Sequence, residues 1–246
     1  MAYVAVTALS HVGLVREHNE DSLAVGPWTL CATVTQNPQT LVFPLGRPLV
    51  VAVADGLGGQ PGGEVASALV VRRLSSLGPA LDAAEPLGDA LDACNREVYA
   101  AADGRPDLAT MGTTVAGLLV LADSLLAFNV GDSKVYEVTP DGLRQMSVDD
   151  SPPPEPGRRT TSAVTQTLGG TRGFSPVSPH LTTRAVSAGK RYLVCSDGLT
   201  DPVPDETLGD LLQTYDDGKA AFELWKAAIE AGGPDNITLA LVRIGA

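Results

Sequence analysis

Four aspartates mark the places in this chain where chemistry could occur. Each lies at one end of a strand-like apolar run and beside a glycine or an asparagine, at Asp55, Asp132, Asp197 and Asp235. A carboxylate placed where a buried strand reaches the surface, next to a residue that lets the backbone come close, can bind a hard divalent cation. The spacing therefore predicts metal-dependent chemistry.

The elements that position these aspartates follow from hydrophobic periodicity and turn signals. The pattern predicts strands over 3–9, 22–25, 48–54, 113–121, 124–130, 134–138, 143–146, 191–195 and 236–244, with a hairpin within 28–43, and helices over 63–77, 86–102, 205–213 and 218–231. The runs between 113 and 146 are typical of an antiparallel meander. Paired helices between blocks of antiparallel strands predict an α+β layered sandwich and not a βαβ alternation.

Composition excludes several classes of protein. The 246 residues carry a net charge of -12, which disfavours a nucleic-acid partner because phosphate backbones need a clustered basic face. The three cysteines are widely spaced in apolar surroundings, which predicts free thiols in a reducing cytoplasm. The N-terminus has no basic segment followed by an apolar stretch, so neither secretion nor membrane spanning is expected.

Six short motifs occur in order along the chain, and each alone is weak because Asp-Gly is a common turn. They span 13–21, 55–59, 112–114, 131–133, 196–199 and 235–238. Taken together, order and spacing resemble the short bacterial form of the PP2C (PPM) family of metal-dependent protein serine/threonine phosphatases, over the whole chain. The resemblance implies a four-layer αββα sandwich, with two central antiparallel β-sheets flanked by helix pairs, in a single catalytic domain over 1–246.

The resemblance also implies an activity. Two Mn²⁺ or Mg²⁺ ions, with a third at a weaker site, would supply a bridging hydroxide that attacks phosphoserine or phosphothreonine directly, without a phosphoenzyme. Two cations roughly 3.5 to 4 Å apart can share a carboxylate and a water whose pKa they lower. The expected partners are phosphoproteins and a Hanks-type serine/threonine kinase that the enzyme opposes, and the expected state is a monomer.

The two main metal sites can be assigned by the same resemblance. Asp55, Asp197 and Asp235 would hold one ion. Asp55, the carbonyl of Gly56 and, through water, Glu20 would hold the other. Hard oxygen ligands of this kind select Mg²⁺ or Mn²⁺ over zinc.

The remaining roles surround these ions. Asp132 with Asp197 would form the weaker third metal site, and Asp21 would orient a metal-bound water. Asn236 would position Asp235 or the water network. Arg16, the basic residue of the first motif, would bind the phosphate of the substrate because its planar fork suits two phosphate oxygens.

Two features depart from the family pattern. Gln60 stands where bacterial members carry a histidine, and Leu57 stands where the eukaryotic form has a histidine that assists the leaving group. The identity of the general acid is therefore open, with water as one source of the proton. After Asp150, a short loop with several prolines replaces the long flap of the family, which predicts altered selection of phosphoproteins.

Two other functions remain as alternatives. A non-catalytic relative that binds phosphoproteins would use the same fold, although it has no reason to keep an uncompensated cluster of carboxylates. A calcium-binding structural module would instead gather its ligands at alternating positions of one loop. His11, His18 and His180 are the possible histidine acids, and we expect His18 to be a surface-loop residue.

Overall fold

The computed structural model describes residues 2–57, 62–155, 160–161 and 163–246. The strands are β1 (Tyr3–His11), β2 (Ser22–Val25), β3 (Trp28–Cys31), β4 (Gln39–Pro44), β5 (Leu49–Ala54), β6 (Gly112–Thr113), β7 (Val115–Val120), β8 (Ser124–Val130), β9 (Lys134–Thr139), β10 (Gly142–Gln145), β11 (Leu168–Gly169), β12 (His180–Ala185), β13 (Arg191–Cys195) and β14 (Ile237–Gly245). The α-helices are α1 (Gly63–Leu77), α2 (Ala84–Ala102), α3 (Asp197–Thr200), α4 (Asp205–Thr214) and α5 (Asp217–Glu230), and 3-10 turns span Gly78–Ala80 and Pro106–Leu108. Across these described ranges, no helix has both the length and the apolar composition needed to cross a bilayer.

Two large antiparallel sheets form the centre of the fold. The first sheet has the strand order β10-β9-β13-β14-β1-β4, and the second has the order β12-β8-β7-β5-β2-β3. The short strands β6 and β11 form a separate ladder, in which Thr113 pairs with Leu168. The strand pairs of the described residues are all antiparallel, including β5 with β7, which α1 and α2 separate along the chain, and β13 with β14, which α3, α4 and α5 separate.

Three apolar clusters define four layers. The sheets pack face to face through side chains such as Val6, Val53 and Val194. Helices α1 and α2 cover the outer face of the second sheet, where Leu74 is fully buried. Helices α4 and α5 cover the outer face of the first sheet, where Leu224 is fully buried. The predicted αββα sandwich with flanking helix pairs is therefore confirmed.

The register of the strands brings the four aspartate positions to one edge of the sandwich. Cys195 at the end of β13 pairs with Leu239 near the start of β14, so the residues that flank these strand ends are neighbours. On the other sheet, Ser22 at the start of β2 pairs with Ala54 at the end of β5. Val130 at the end of β8 lies on the same side, because it pairs with the first residue of β7.

The structure differs from the sequence prediction most clearly in three regions, and the two-residue strand β11 and the short helix α3 were not predicted either. The region 28–43 contains two strands but no hairpin between them: β3 pairs with β2 across the Gly26-Pro27 turn, whereas β4 pairs with β1 in the other sheet. The predicted meander is split, since β7 and β8 lie in one sheet and β9 and β10 in the other. Strand β12 was not predicted, because this edge strand is largely exposed and contributes few apolar residues.

The layered core yields a test of stability. Phe128 is fully buried in the cluster under α1 and α2. We expect Phe128→Ala to reduce the free energy of unfolding by about 3–5 kcal/mol, because it removes buried area and leaves a cavity. Val42→Ala, on an edge strand where the side chain is 63% exposed, should change it by less than about 0.5 kcal/mol. Urea denaturation measures both, and equal effects would contradict the assigned layers.

Candidate active site

Two threonines fix the backbone at Asp55: Thr113, the last residue of β6, and Thr114, which follows it. The Asp55 carbonyl accepts hydrogen bonds from Thr113 Oγ1 at 2.7 Å and from the Thr114 amide at 2.9 Å. A Cβ at the next residue, Gly56, would lie 2.5 Å from the carbonyl carbon of Gly63. Only glycine fits this close approach, so the sequence holds Asp55 and the Gly56 carbonyl at the start of α1.

Asp197 and Asp235 are brought together by a second close approach. Asp197 opens the short helix α3, which follows β13 directly. A Cβ on Gly198 would lie 1.9 Å from the carbonyl oxygen of Asn236 and 3.3 Å from Cβ of Asp235. The helix therefore rests on the backbone of the segment 235–236, and the glycine after Asp197 is required for that packing.

Asp21 is fully buried between the two sheets' ends. Its Oδ2 accepts a hydrogen bond from Ser196 Oγ at 2.8 Å, and Thr238 provides another contact. Its Oδ1 has no hydrogen-bond partner among the described residues, and the same is true of Oδ1 of Asp197. Buried carboxylate oxygens without partners are costly, so these two atoms are suited to a ligand that supplies positive charge.

The electrostatics of the group agree with this geometry. Burial raises the pKa of Asp21 to about 7 and that of Asp197 to about 6, with neighbouring aspartates adding to each shift. Burial also raises the pKa of Asp55 well above its usual value, and the carboxyl group of Asp55 hydrogen-bonds that of Asp197. Like charges brought this close need either protons or cations to compensate them.

Arg16 reaches this group from the loop after β1. Its Nη2 donates to Oδ2 of Asp235 at 2.7 Å, and the two side chains are 40% and 32% exposed. Arg16 and Asp235 were predicted to act on phosphate and on metal, respectively, and the structure brings them into direct contact. The guanidinium therefore lies at the solvent edge of the carboxylates.

Asn236 organises the loop that carries Arg16 and Glu20. Its Nδ2 donates to the carbonyls of Val12 and His18, each at 2.9 Å, and its Oδ1 accepts from the Glu20 amide at 2.8 Å. The predicted role of Asn236 was to position Asp235 or water. Its contacts show a larger one, because one side chain ties the whole segment 12–20 to the start of β14.

Asp132 lies beside a cavity of about 330 Å³ that also reaches Asp197. Only 6% of Asp132 is exposed, and burial raises its pKa to about 6. The preceding residue is fixed by Asp150, whose Oδ2 accepts from the Gly131 amide at 2.8 Å. The cavity lining includes further carboxylates at Asp149, Asp201 and Asp205.

Glu20 lines a second groove. Glu17, His18 and Glu64 also line this groove, whose volume is about 750 Å³. Burial raises the pKa of Glu20, and the nearby Glu64 adds to the effect. The structure therefore brings to one edge of the sandwich all the predicted side chains, namely Arg16, Glu20, Asp21, Asp55, Asp132, Asp197, Asp235 and Asn236; one groove is lined by Asp132 and Asp197 and the other by Glu20.

Comparison with known proteins identifies the family. The profile of protein phosphatase 2C matches residues 40–240. The chain belongs to the protein phosphatase 2C family. It is 35% identical to the serine/threonine protein phosphatase PstP of Mycobacterium tuberculosis over 96% of this chain, although it spans only 44% of PstP. It is 31% identical to the serine/threonine phosphatase stp of Listeria innocua, covering 94% of this chain and 92% of stp.

A solved structure shows the same fold. The catalytic domain of PstP, crystallised in complex with two manganese ions, superposes with a TM-score of 0.80 at 32% identity, and all of both chains are covered. This 2C family member therefore has the same two-sheet architecture as a phosphatase catalytic domain that was crystallised with two manganese ions.

Of the three histidines of this protein phosphatase 2C member, His18 is exposed, as expected, and lines the groove beside Glu20. His11 packs edge-on against Trp225 at 5.3 Å between ring centroids. His180 Nε2 lies 2.9 Å from Oδ1 of Asp150, a contact that sequence reasoning missed because 30 residues separate the two. Through Asp150, His180 supports the turn that carries Asp132. Leu57 contributes an apolar side chain near Gly112 and Gly170, and Gln60 lies outside the described residues.

The residues of this 2C family site fit a hard divalent cation. All candidate ligands are oxygen donors. Asp197, which is one of them, and the neighbouring Asp21 each have an unpartnered buried oxygen, and the glycines at 56 and 198 leave room for close approach. Within the described part of the chain, no three His, Cys, Asp or Glu side chains already converge as a ready-made metal cluster. Asp235 instead pairs with Arg16, so the ligand sets assigned from the sequence stay predictions.

Repulsion within the carboxylate group can be tested without measuring activity. We expect Asp197→Asn to raise the melting temperature of the EDTA-treated protein, because it removes one buried negative charge from a crowded group. Each kcal/mol gained corresponds to a rise of about 2–4 °C for a chain of this size. Asp82→Asn removes an exposed charge and serves as the control. A lower melting temperature for Asp197→Asn alone would contradict the repulsion.

Proposed function

We propose that this chain is a metal-dependent phosphoprotein phosphatase that hydrolyses phosphoserine and phosphothreonine. One observation carries the proposal: buried aspartates with unpartnered oxygens lie beside an accessible arginine, at the edge of a 2C-family sandwich. Carboxylates that gather cations and a guanidinium that binds phosphate are the two components that hydrolysis of a phosphate ester needs.

We propose Mn²⁺ or Mg²⁺ as the cofactor, supported by the two manganese ions of the PstP catalytic domain. Asp55, Asp197 and Asp235 would hold one ion, and Asp55, the Gly56 carbonyl and, through water, Glu20 would hold the other. Asp132 with Asp197 would hold a weaker third. When bound, such cations lower the pKa of a water molecule so that it can attack the phosphorus near neutral pH.

The protein residues bind and orient the substrate around that reaction. Arg16 would bind phosphate oxygens with its planar fork and release Asp235 from the ion pair as it does so. Asn236 fixes the loop that carries Arg16, which limits the positions the phosphate can take. The hydroxyl group of Thr113 donates to the backbone carbonyl of Asp55, and that of Ser196 donates to the carboxylate of Asp21, so each hydroxyl fixes the position of one of these residues.

Protonation of the leaving oxygen would fall to a metal-bound water, whose pKa the cation lowers. Leu57 has no ionisable group, and a glutamine such as Gln60 cannot act as a proton donor of tunable pKa. The cavity beside Asp132 and Asp197 is open to solvent and gives water access to the substrate oxygen. This differs from enzymes in which a histidine performs the step.

The wider biological role is also a proposal. We propose a single catalytic domain over 1–246, acting as a cytoplasmic monomer against a serine/threonine kinase. Support comes from the three free cysteines, which suit a reducing compartment, and from the single sandwich that the described residues form. A purely phosphoprotein-binding role is disfavoured, because burying several carboxylates without partners gains nothing for binding alone.

Metal-dependent turnover tests the proposal directly. Asp55→Asn should lose Mn²⁺-dependent hydrolysis of p-nitrophenyl phosphate while the circular dichroism spectrum is unchanged, because the amide cannot supply the bridging charge. Asp82→Asn should retain the activity. Phosphoserine and phosphothreonine peptides should be hydrolysed and phosphotyrosine peptides should not. A wild-type protein that binds these peptides without releasing phosphate would instead establish the binding role.

The role of Arg16 is tested by the separation of KM and kcat. Arg16→Ala should raise the KM for p-nitrophenyl phosphate by about 10-fold or more, since a charge-assisted hydrogen bond to the phosphate is lost. Arg16→Lys should recover part of the affinity, because it restores charge without the fork. An altered melting temperature with unchanged KM would assign Arg16 a structural role only.

A further inference from the structure

A positively charged groove lies on the first sheet at the end opposite to the carboxylates. Its volume is about 530 Å³. The groove is lined by Val138, Pro140, Ala188, Gly189, Lys190, Arg191, Leu212, Gln213, Tyr215 and Arg243. Three of these residues are cationic and none is a carboxylate, in a chain whose net charge is -12. The local charge is therefore opposite to that of the whole protein.

The groove is separate from the catalytic residues proposed above. Arg191 opens β13, whose far end leads into Asp197, and Arg243 lies near the end of β14, whose start follows Asp235. At about 3.3 Å per strand residue, roughly 20 Å or more separates the groove from either aspartate. A ligand bound in this groove would not contact the carboxylate group.

Arg191 forms the floor of the groove and is only 6% exposed. Its Nε lies 2.6 Å from Oδ1 of Asp217, and its Nη1 donates to the carbonyls of Leu212 and Tyr215. Its Nη2 is buried and has no hydrogen-bond partner within the described ranges. A buried guanidinium donor without an acceptor is energetically costly, and an anionic oxygen would remove that cost.

Lys190 and Arg243 form the rim, where their side chains are 43% and 36% exposed. Lys190 Nζ donates to Glu137 at 2.6 Å, and Arg243 donates to both oxygens of Asp217 at 2.6 and 2.9 Å. Four cations share two carboxylates at this end of the sheet, namely Arg144, Lys190, Arg191 and Arg243 with Glu137 and Asp217. At the start of α5, the opposite charges of Asp216 and Lys219 balance each other. The groove therefore keeps an excess of positive charge.

We propose that this groove binds a phosphate-bearing anion, with the phosphoryl oxygens between Lys190 and Arg243 and one of them accepting from Arg191 Nη2. Phosphate suits the groove better than a carboxylate does, because it offers three acceptor oxygens to three separate cations. The phosphate can belong to a free small molecule or to a phosphorylated side chain. The alternative is that the cations only attach α4 and α5 to the sheet.

Calorimetric titration separates these readings. The parent protein carries Arg16→Ala and is kept in EDTA, so that phosphate binding at the carboxylate group does not contribute. Inorganic pyrophosphate and a phosphoserine peptide are titrated at constant ionic strength, because salt screens such contacts. We expect binding that weakens about tenfold or more in Lys190→Met, which removes one charge-assisted contact. Tighter binding of pyrophosphate would assign a free anion, and tighter binding of the peptide a phosphorylated segment.

Lys226→Met is the matched control, since Lys226 is 46% exposed, lies on α5 and also pairs with carboxylates. This variant should bind as the parent does. Should Lys190→Met fail to fold because Glu137 loses a partner, Arg243→Lys keeps the charge against Asp217 but loses the fork, and it should also weaken binding. Affinities that are equal in the parent, Lys190→Met and Arg243→Lys, or no binding of either probe, would overturn the proposal. Because no activity is measured, the outcome is independent of the proposed phosphatase function.

Discussion

Repulsion between buried carboxylates is the constraint on which the site and its surroundings depend. Asp21, Asp55 and Asp197 are drawn to one edge of the sandwich, where burial and mutual charge raise their pKa values. Burial of several like charges destabilises a fold unless an opposite charge compensates them. The hydroxyls of Ser196 and Thr113, the glycines at 56 and 198 and the Arg16 ion pair all act to hold this unfavourable arrangement in place.

The sequence was a good guide to this edge because its signals are local. An Asp-Gly pair after a buried strand indicates both a turn and a close approach of another backbone segment. A Cβ at Gly56 or Gly198 would clash with such a segment, which shows why glycine is needed there. Helices α1, α2, α4 and α5 followed from periodicity, and α1 spans the predicted residues. The αββα layering followed from the family resemblance, because hydrophobic patterning alone does not say which strands share a sheet.

What could not be predicted depends on contacts between distant segments. The separation of β3 and β4 into different sheets, the contact of His180 with Asp150 and the three hydrogen bonds of Asn236 each join residues far apart in the chain. The Arg16–Asp235 ion pair is of the same kind. The sequence assigned phosphate to Arg16 and a metal ion to Asp235, whereas in the structure the two side chains contact each other. Local patterns carry no information about such pairs, because packing of the whole sandwich sets them.

Strands β1 and β14 lie side by side along their full length, with Tyr3 opposite Gly245 and His11 opposite Ile237. The loop that follows β1 carries Arg16 and Glu20, and the residues just before β14 are Asp235 and Asn236. The two halves of the site thus come from opposite ends of the sequence, and contacts of such long range form late and slowly. During synthesis, the carboxylates beside the early strands come together with Asp235 only after β14 has left the ribosome and paired with β1.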